Sequence, residues 1–269
     1  MDWLECTRAV MTMVVLLTCT SAFGAHITMT TSFSVIEKPE GLVLEVTAEN
    51  RGDVPAHDVQ FEIILDEKVL VGPVVKRLDI NEKTAMDFSL SDAFGIPGRY
   101  PVVVRTSYKD AAGYRFTALL VGFHDYQATV VPAVSISGEP TSIPVDGKGR
   151  MTFVLRNDGQ TEQEIELMLV LPSELSVADE YSVLNIGPQQ QQTLDYEVEN
   201  YSALANSNYP ISLLGRYQEN GRRFSIAGTA VAKVVAVVKS TDRPVWIWVL
   251  LGGCLPALIV FLRFKKQWK

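Results

Sequence analysis

The run Arg99-Tyr100-Pro101-Val102-Val103-Val104-Arg105-Thr106-Ser107-Tyr108-Lys109-Asp110-Ala111-Ala112-Gly113-Tyr114-Arg115-Phe116 decides the fold. Tyr100, Val102, Val104, Thr106 and Tyr108 alternate at period two, the spacing of one face of a strand. Lys109 to Gly113 then supplies the polar, glycine-ended turn of a hairpin. The same features return as Asn208-Tyr209-Pro210, Tyr217, Gly221 and Phe224, offset by 109 residues for the tyrosines and proline and by 108 for the glycine and phenylalanine. Five distinctive residues in one register mark an internal repeat.

Outward from this hairpin the period stays two. Leu42, Leu44, Val46 and Ala48 alternate, as do Val59, Phe61, Ile63 and Leu65, and then Met86, Phe88 and Leu90, each run bounded by turn residues. Asn50-Arg51-Gly52 returns as Asn157-Asp158-Gly159, 107 residues later. Leu78-Asp79-Ile80 returns as Leu184-Asn185-Ile186. No stretch between the chain's apolar ends has a helical period. The pattern predicts an all-β protein of two tandem Ig-like antiparallel β-sandwiches, each of about 105 residues. Sandwich 1 is expected over 25–125 and sandwich 2 over 126–239, with a short, semi-rigid connection. The shared residues have folding roles. The glycines of Asn-x-Gly and of the last hairpin suit φ > 0. Tyr108 and Tyr217 end an inward face, and Pro101 and Pro210 suit a strand that begins at a sheet edge or bulge.

The ends read differently. Residues 1–24 carry a short apolar run followed by small side chains, Ala22-Phe23-Gly24, and are expected to be a signal peptide cut before Ala25. Val245 to Leu262 is 18 residues without a charge, just long enough to span a bilayer as a helix. Trp246 and Trp248 are expected at one membrane interface, and Arg263, Lys265 and Lys266 at the other. The reading is a type I single-pass protein of the cytoplasmic membrane. It has a stem at 240–244, a cytoplasmic tail at 263–269 and a periplasmic or extracellular body. The mean hydropathy of +0.13 fits this division. All three cysteines (Cys6, Cys19, Cys254) lie in the end segments, so no disulfide staples the body. From Ala25 to Arg243 the chain has 29 acidic and 19 basic residues, a net of −10, which argues against nucleic acid as a partner.

The Asn-x-Gly turn, the alternating strand after it, the polar turn and Gly98-Arg99-Tyr100 before the last hairpin resemble the CARDB and NEW3 type of Ig-like module in bacterial and archaeal envelope proteins. Leu171-Pro172-Ser173 is similar to the related surface-layer repeat, whereas Gln189 to Gln192 departs from the usual Pro-Gly turn. The resemblance implies a non-catalytic module in a cell-surface or envelope protein of a prokaryote, without naming a ligand.

No nucleophile elbow, zinc-protease helix, phosphate loop or dinucleotide fingerprint is present. No catalytic residue, metal site or cofactor is expected, and no small-molecule ligand. His26, His57 and His124 are isolated. Asp92 to Gly95 and Asp146 to Gly149 lack calcium-ligand spacing. Arg51-Gly52-Asp53 spells an adhesion tripeptide, yet its counterpart Asp158-Gly159-Gln160 keeps only the glycine. Two apolar runs stand out. Val69 to Val75 suits an extra strand packed in the core and Leu119 to Phe123 a strand buried at the junction; the alternative reading of either is an exposed edge that adds to a partner's sheet. On that alternative Val69, Leu70, Val71, Val74 and Val75 are the candidate partner-binding residues, their second-module counterpart being read as the polar Ser173 to Asp179. The expected function is that of a membrane-anchored extracytoplasmic interaction or scaffold protein, a non-catalytic subunit of an envelope or transporter assembly, its partner another envelope or membrane protein. The alternative is a carbohydrate-binding cell-surface module, which the core positions of most aromatics disfavour.

Overall fold

A computed structural model describes residues 26–236 apart from residues 40, 67 and 92. The expected signal peptide, stem, membrane helix, tail, interface residues and all three cysteines lie outside the described residues. Among the described residues, no helix is long and apolar enough to cross a membrane.

The described chain is all-β, and both sandwiches are Ig-like. In chain order the first contains β1 (Met29–Lys38), β2 (Gly41–Asn50), β3 (Ala56–Leu65), β4 (Lys68–Val71), β5 (Val75–Leu78), β6 (Lys83–Ser89), β7 (Gly98–Lys109) and β8 (Arg115–Tyr126). The second contains β9 (Val134–Gly138), β10 (Thr141–Pro144), β11 (Lys148–Asn157), β12 (Gln163–Val170), β13 (Leu175–Val177), β14 (Tyr181–Ile186), β15 (Gln191–Asn200), β16 (Asn208–Glu219) and β17 (Arg222–Val235).

In the first module a sheet ordered β1-β2-β6 faces one ordered β8-β7-β3, with β4 and β5 on the far side of β3. Leu44, Val46, Phe61, Ile63, Val102 and Val104 from both sheets are buried in one cluster. In the second, β13-β15-β11-β9 faces β14-β12-β16-β17, with β10 parallel to β17 beyond it. Met151, Phe153, Leu155, Leu167, Leu213 and Val234 form that core. At about 1.5–3 kcal/mol for each fully buried aliphatic side chain, these two layers carry the stability of a body without cysteine.

The repeated residues occupy the same places in both modules. Asn50 and Asn157 are fully buried. The Asn50 amide donates to the carbonyls of Val54 (2.8 Å) and Leu78 (3.3 Å), and its Oδ1 accepts from the Gly52 N–H (3.0 Å). Asn157 repeats this with Thr161 (2.8 Å), Ile186 (3.2 Å), Gly187 (3.0 Å) and Gly159 (2.9 Å). One side chain thus ties the turn after β2, or after β11, to a loop 28 to 30 residues away. Gly52 and Gly159 do not take φ > 0, contrary to expectation. Their requirement is room: a Cβ at Gly52 would lie 2.3 Å from the His26 carbonyl oxygen, and one at Gly159 2.9 Å from Asn157 Oδ1. Gly113 (φ +87°) and Gly221 (φ +72°) do take left-handed backbone in the last hairpins. Asn220 (φ +51°) precedes Gly221 in a two-residue turn with both φ positive, the type that matches strand twist.

Tyr100 and Tyr209 are tyrosine corners, a role not read from the sequence. The Tyr100 hydroxyl accepts from the Gly95 and Ile96 N–H groups (3.2 and 3.1 Å) and donates to the Ile96 carbonyl (2.7 Å). The Tyr209 hydroxyl accepts from the Leu204 N–H (2.9 Å). The prolines that follow lie in central strands, β7 and β16, rather than at an outer edge. Pro101 and Pro210 fall before the pairing of β7 with β3, which starts at Val102, and of β16 with β12, which starts at Ser212. On that side no ladder hydrogen bond is lost to the missing N–H.

Candidate functional site: the inter-module junction and two open sheet edges

Three central strands and the end strand β8 are apolar on both faces, and the second face makes the junction. Val102 and Val104 of β7 enter the first core, while Val103 between them points the other way. In β12, Leu167 and Leu169 enter the second core while Met168 and Val170 point outward; in β16, Leu213 and Leu214 divide likewise. Leu119 and Val121 of β8 join this outward layer, and Leu120 joins the first core. Val103, Met168, Val170 and Leu214 are buried together, with Ile64, Leu119, Val121 and Ala227 packed against them. The two sandwiches are therefore packed sheet against sheet in a single compact unit that ends at Val235. Continuous apolar runs in a strand signal burial on both faces. That signal was read at Leu119 to Phe123 and missed in β7, β12 and β16.

Polar contacts lock the same junction. Arg216 and Arg223 both reach the Asp66 carboxylate, Arg216 at 2.5 Å, and Arg216 also pairs with Glu166 at 3.1 Å. All three of Asp66, Arg216 and Arg223 are largely shielded from solvent. The Arg223 N–H donates to the Pro97 carbonyl (3.0 Å), its guanidinium lies 5.4 Å from the Tyr100 ring centre, and the Ser225 hydroxyl donates to the Arg99 carbonyl (2.7 Å). Gly98 pairs with Arg223 in a single parallel bridge that joins the module sheets into one of ten strands. A Cβ at Gly98 would lie 2.1 Å from the Arg223 carbonyl oxygen.

Elsewhere along the junction, the buried Glu174 accepts from the Thr117 N–H (2.9 Å), and Thr117 and Ser173 share a hydroxyl hydrogen bond of 2.5 Å. Burial holds the Glu174 carboxyl above the usual carboxylate range. A cleft of about 580 Å³ opens beside it, lined by residues of both modules including Tyr108, Phe116, Leu204, Tyr209 and Pro210. Tyr108 and Phe116 are stacked at 5.7 Å, and burial, with Glu174 nearby, pushes the Tyr108 hydroxyl up to about 12.

The expected edge is exposed. Val69, Val71 and Val74 are 57%, 58% and 49% accessible. Leu70 packs on the first core and Val75 on the small cluster of Ala56, Val59 and Leu78. Among the described residues β4 pairs only with β3, so its far side ends the described sheet. In chain order Ser173 to Asp179, which contains β13, lies between β12 and β14 as β4 lies between β3 and β5, but β13 pairs with β15 of the other sheet. Beside β12 the exposed edge is β14, the counterpart of β5: Ile186 is opposite Gln163 as Leu78 is opposite Ala56. There Tyr181 and Val183 are 64% and 63% accessible, and Leu184 packs on the core. The alternation of Tyr181, Val183 and Asn185 against Ser182, Leu184 and Ile186 carried that signal.

The remaining candidates are occupied structurally. In Arg51-Gly52-Asp53, Arg51 pairs with Glu49, Gly52 is buried and Asp53 accepts from the His26 N–H (2.6 Å), which holds its carboxyl below the usual range. His57 lies in β3, beside a bulge at Asp58 (φ +50°) whose carboxylate receives Lys109 at 2.8 Å. His124 packs 5.2 Å from the Phe94 ring, and burial lowers its pKa. Among the described residues, no three His, Cys, Asp or Glu side chains are grouped to hold a metal ion.

No family model matches the chain, and no curated protein does. Solved structures do match. The YadV chaperone has 13% identity and a TM-score of 0.31, over 76% of this chain and 98% of that one. A putative membrane anchored protein from Corynebacterium diphtheriae has 13% identity and a TM-score of 0.30, over 81% and 61%. Native Escherichia coli alpha-2-macroglobulin has 9% identity and a TM-score of 0.29; the match covers 77% of this chain but only 17% of the macroglobulin.

Proposed function

We propose that the chain is a membrane-anchored, extracytoplasmic interaction protein that holds a partner through an open sheet edge. The observation that carries this reading is β4, a terminal strand with Val69 and Val71 more than half exposed on a body whose two sandwiches are locked together. An edge strand presents unpaired backbone donors and acceptors, and apolar side chains beside it reward a strand that is added there. Locking the modules lowers the entropic cost of presenting that edge. The uncharged run Val245 to Leu262 supports the anchor and the basic residues after it support an extracytoplasmic body. The partner is an envelope or membrane protein in the same assembly.

Two measurements test this. Carbonate-washed membranes should retain the full chain and release a chain ending at Ala236; release of the full chain would overturn the anchor. A photo-crosslinker in place of Val71 should trap a protein in cells, and one in place of exposed Ala85 on the opposite sheet should not. The carbohydrate alternative has its best support in the aromatic cleft at Tyr108 and Phe116, and saturable binding of the purified chain on a glycan array, lost in Tyr108→Ala, would favour it instead.

A further inference from the structure

The cleft beside Glu174 exists only because the modules pack against each other. The first module contributes Tyr108 and Phe116 of the last hairpin, stacked at 5.7 Å; the second contributes Leu204, Tyr209 and Pro210. Its volume of about 580 Å³ is that of a small-molecule site, and such sites set a few polar groups among apolar and aromatic walls. Two polar groups here fit that description. The Tyr108 hydroxyl has no hydrogen-bond partner among the described residues. Glu174 is only 2% accessible, and its carboxylate accepts from neutral donors, the Thr117 N–H (2.9 Å) and the Ser173 hydroxyl (3.3 Å). Burial, and after it the Glu174 charge, raises the Tyr108 and Tyr209 hydroxyls, so the carboxylate lies within electrostatic reach of both. No Lys or Arg lines the cleft, and among the described residues none pairs with Glu174. The one basic side chain there, His26, is paired with Asp53 at 3.2 Å. A buried carboxylate without a counter-charge is costly, and an entering cation lowers that cost.

From these features we infer that the cleft binds a small organic cation, an ammonium group on an aromatic or aliphatic stem. The stem lies against the rings, and the ammonium sits beside Glu174 and the Tyr108 hydroxyl. This goes beyond the edge-docking reading and does not depend on it. The ammonium donates to the Tyr108 oxygen and to a remaining lone pair of the carboxylate, and the aromatic faces attract the same charge. An anion would be repelled by Glu174. A bare metal ion would meet one carboxylate and no ligand set among the described residues. A sugar needs several free hydrogen-bonding groups, and most of those at the cleft are taken. Asp110 accepts from the Ala112 and Tyr114 N–H groups (both 2.9 Å), and the Tyr209 hydroxyl accepts from Leu204.

The test uses the full chain in detergent micelles, titrated calorimetrically with phenethylamine, its neutral counterpart phenethyl alcohol and the anionic hydrocinnamate. The amine should bind saturably and about tenfold more tightly than the alcohol, and the anion should not bind. Glu174→Gln keeps an oxygen for the Thr117 N–H; it should cost the amine about tenfold in affinity and leave the alcohol unchanged. Tyr108→Phe keeps the ring stack and should weaken the amine several-fold. Amine affinity should rise with pH as Glu174 gives up its proton and level off above its raised pKa. The other titratable groups at the cleft are His26 with its partner Asp53, Asp110, Tyr108 and Tyr209. His26→Gln should leave the rise in place, whereas Glu174→Gln should abolish it. Equal affinity for amine and alcohol, no saturable amine binding, or amine affinity unchanged in both cleft variants would overturn the inference. If Glu174→Gln does not fold, the amine-to-alcohol ratio and its rise with pH in the unsubstituted chain decide. Saturable sugar binding without amine binding gives the cleft to the carbohydrate reading. None of these outcomes bears on the β4 edge, which the photo-crosslinker at Val71 tests separately.

Discussion

Asn157 shows how much one side chain can carry. Its buried amide serves two carbonyls across a long loop and a third within its own turn, and its oxygen holds the Gly159 amide. Asn157→Ala leaves those buried groups without partners and should lower stability by about 1–3 kcal/mol, read from the urea midpoint. Asn157→Asp should be worse, since a carboxylate would face the same carbonyls. Glu174 makes a pH-dependent contribution. Its carboxyl is held above the ordinary range, so the folded chain binds more protons than the unfolded one between the ordinary and the raised pKa. Stability from this group is full below the ordinary glutamate pKa and falls as pH rises through the raised one. Glu49, Asp53 and Asp58, all held low by hydrogen bonds, act in the opposite sense and lose their contribution as pH falls. In Glu174→Gln the loss of stability on raising pH above that range should flatten in pH-dependent denaturation, while the acid limb is unchanged.

Among the elements, β7 repays attention because it serves three neighbours: β3, β8 and, at its first residue, β17. Gly98 makes that third contact with φ +147°, and no Cβ fits against the Arg223 backbone. Gly98→Ala should destabilise by about 2–4 kcal/mol through strain and clash. Hydrogen exchange should speed up first at Arg223 and at the start of β7, with the β11–β15 pair unaffected. The tyrosine corners belong to the same scale. Tyr100-Pro101 and Tyr209-Pro210 were legible as a repeat, and the alternating strands around them were legible as sandwich strands. That the tyrosine hydroxyl folds back on the loop before its strand was not, because a hydroxyl's partner four or five residues upstream leaves no periodic trace.

At the scale of the molecule, the junction decides whether the modules behave as two bodies or one. With Val103, Met168, Val170 and Leu214 buried between them and Asp66 holding two arginines, the described body should unfold calorimetrically in one transition. Leu214→Glu places a charge in that layer without touching either module core, and should split the transition into two. The class of fold, the repeat and the hairpin glycines followed from sequence alone, because period-two alternation and left-handed turns are local consequences of residue type. The exposed Val69 and Val71 were legible as an apolar run of uncertain placement. Their exposure, the exposed Tyr181 and Val183 at β14 and the sheet-to-sheet junction were decided only by tertiary structure. A strand's second apolar face reads the same whether it meets a neighbouring module, a partner or water, and only the packing of distant strands says which.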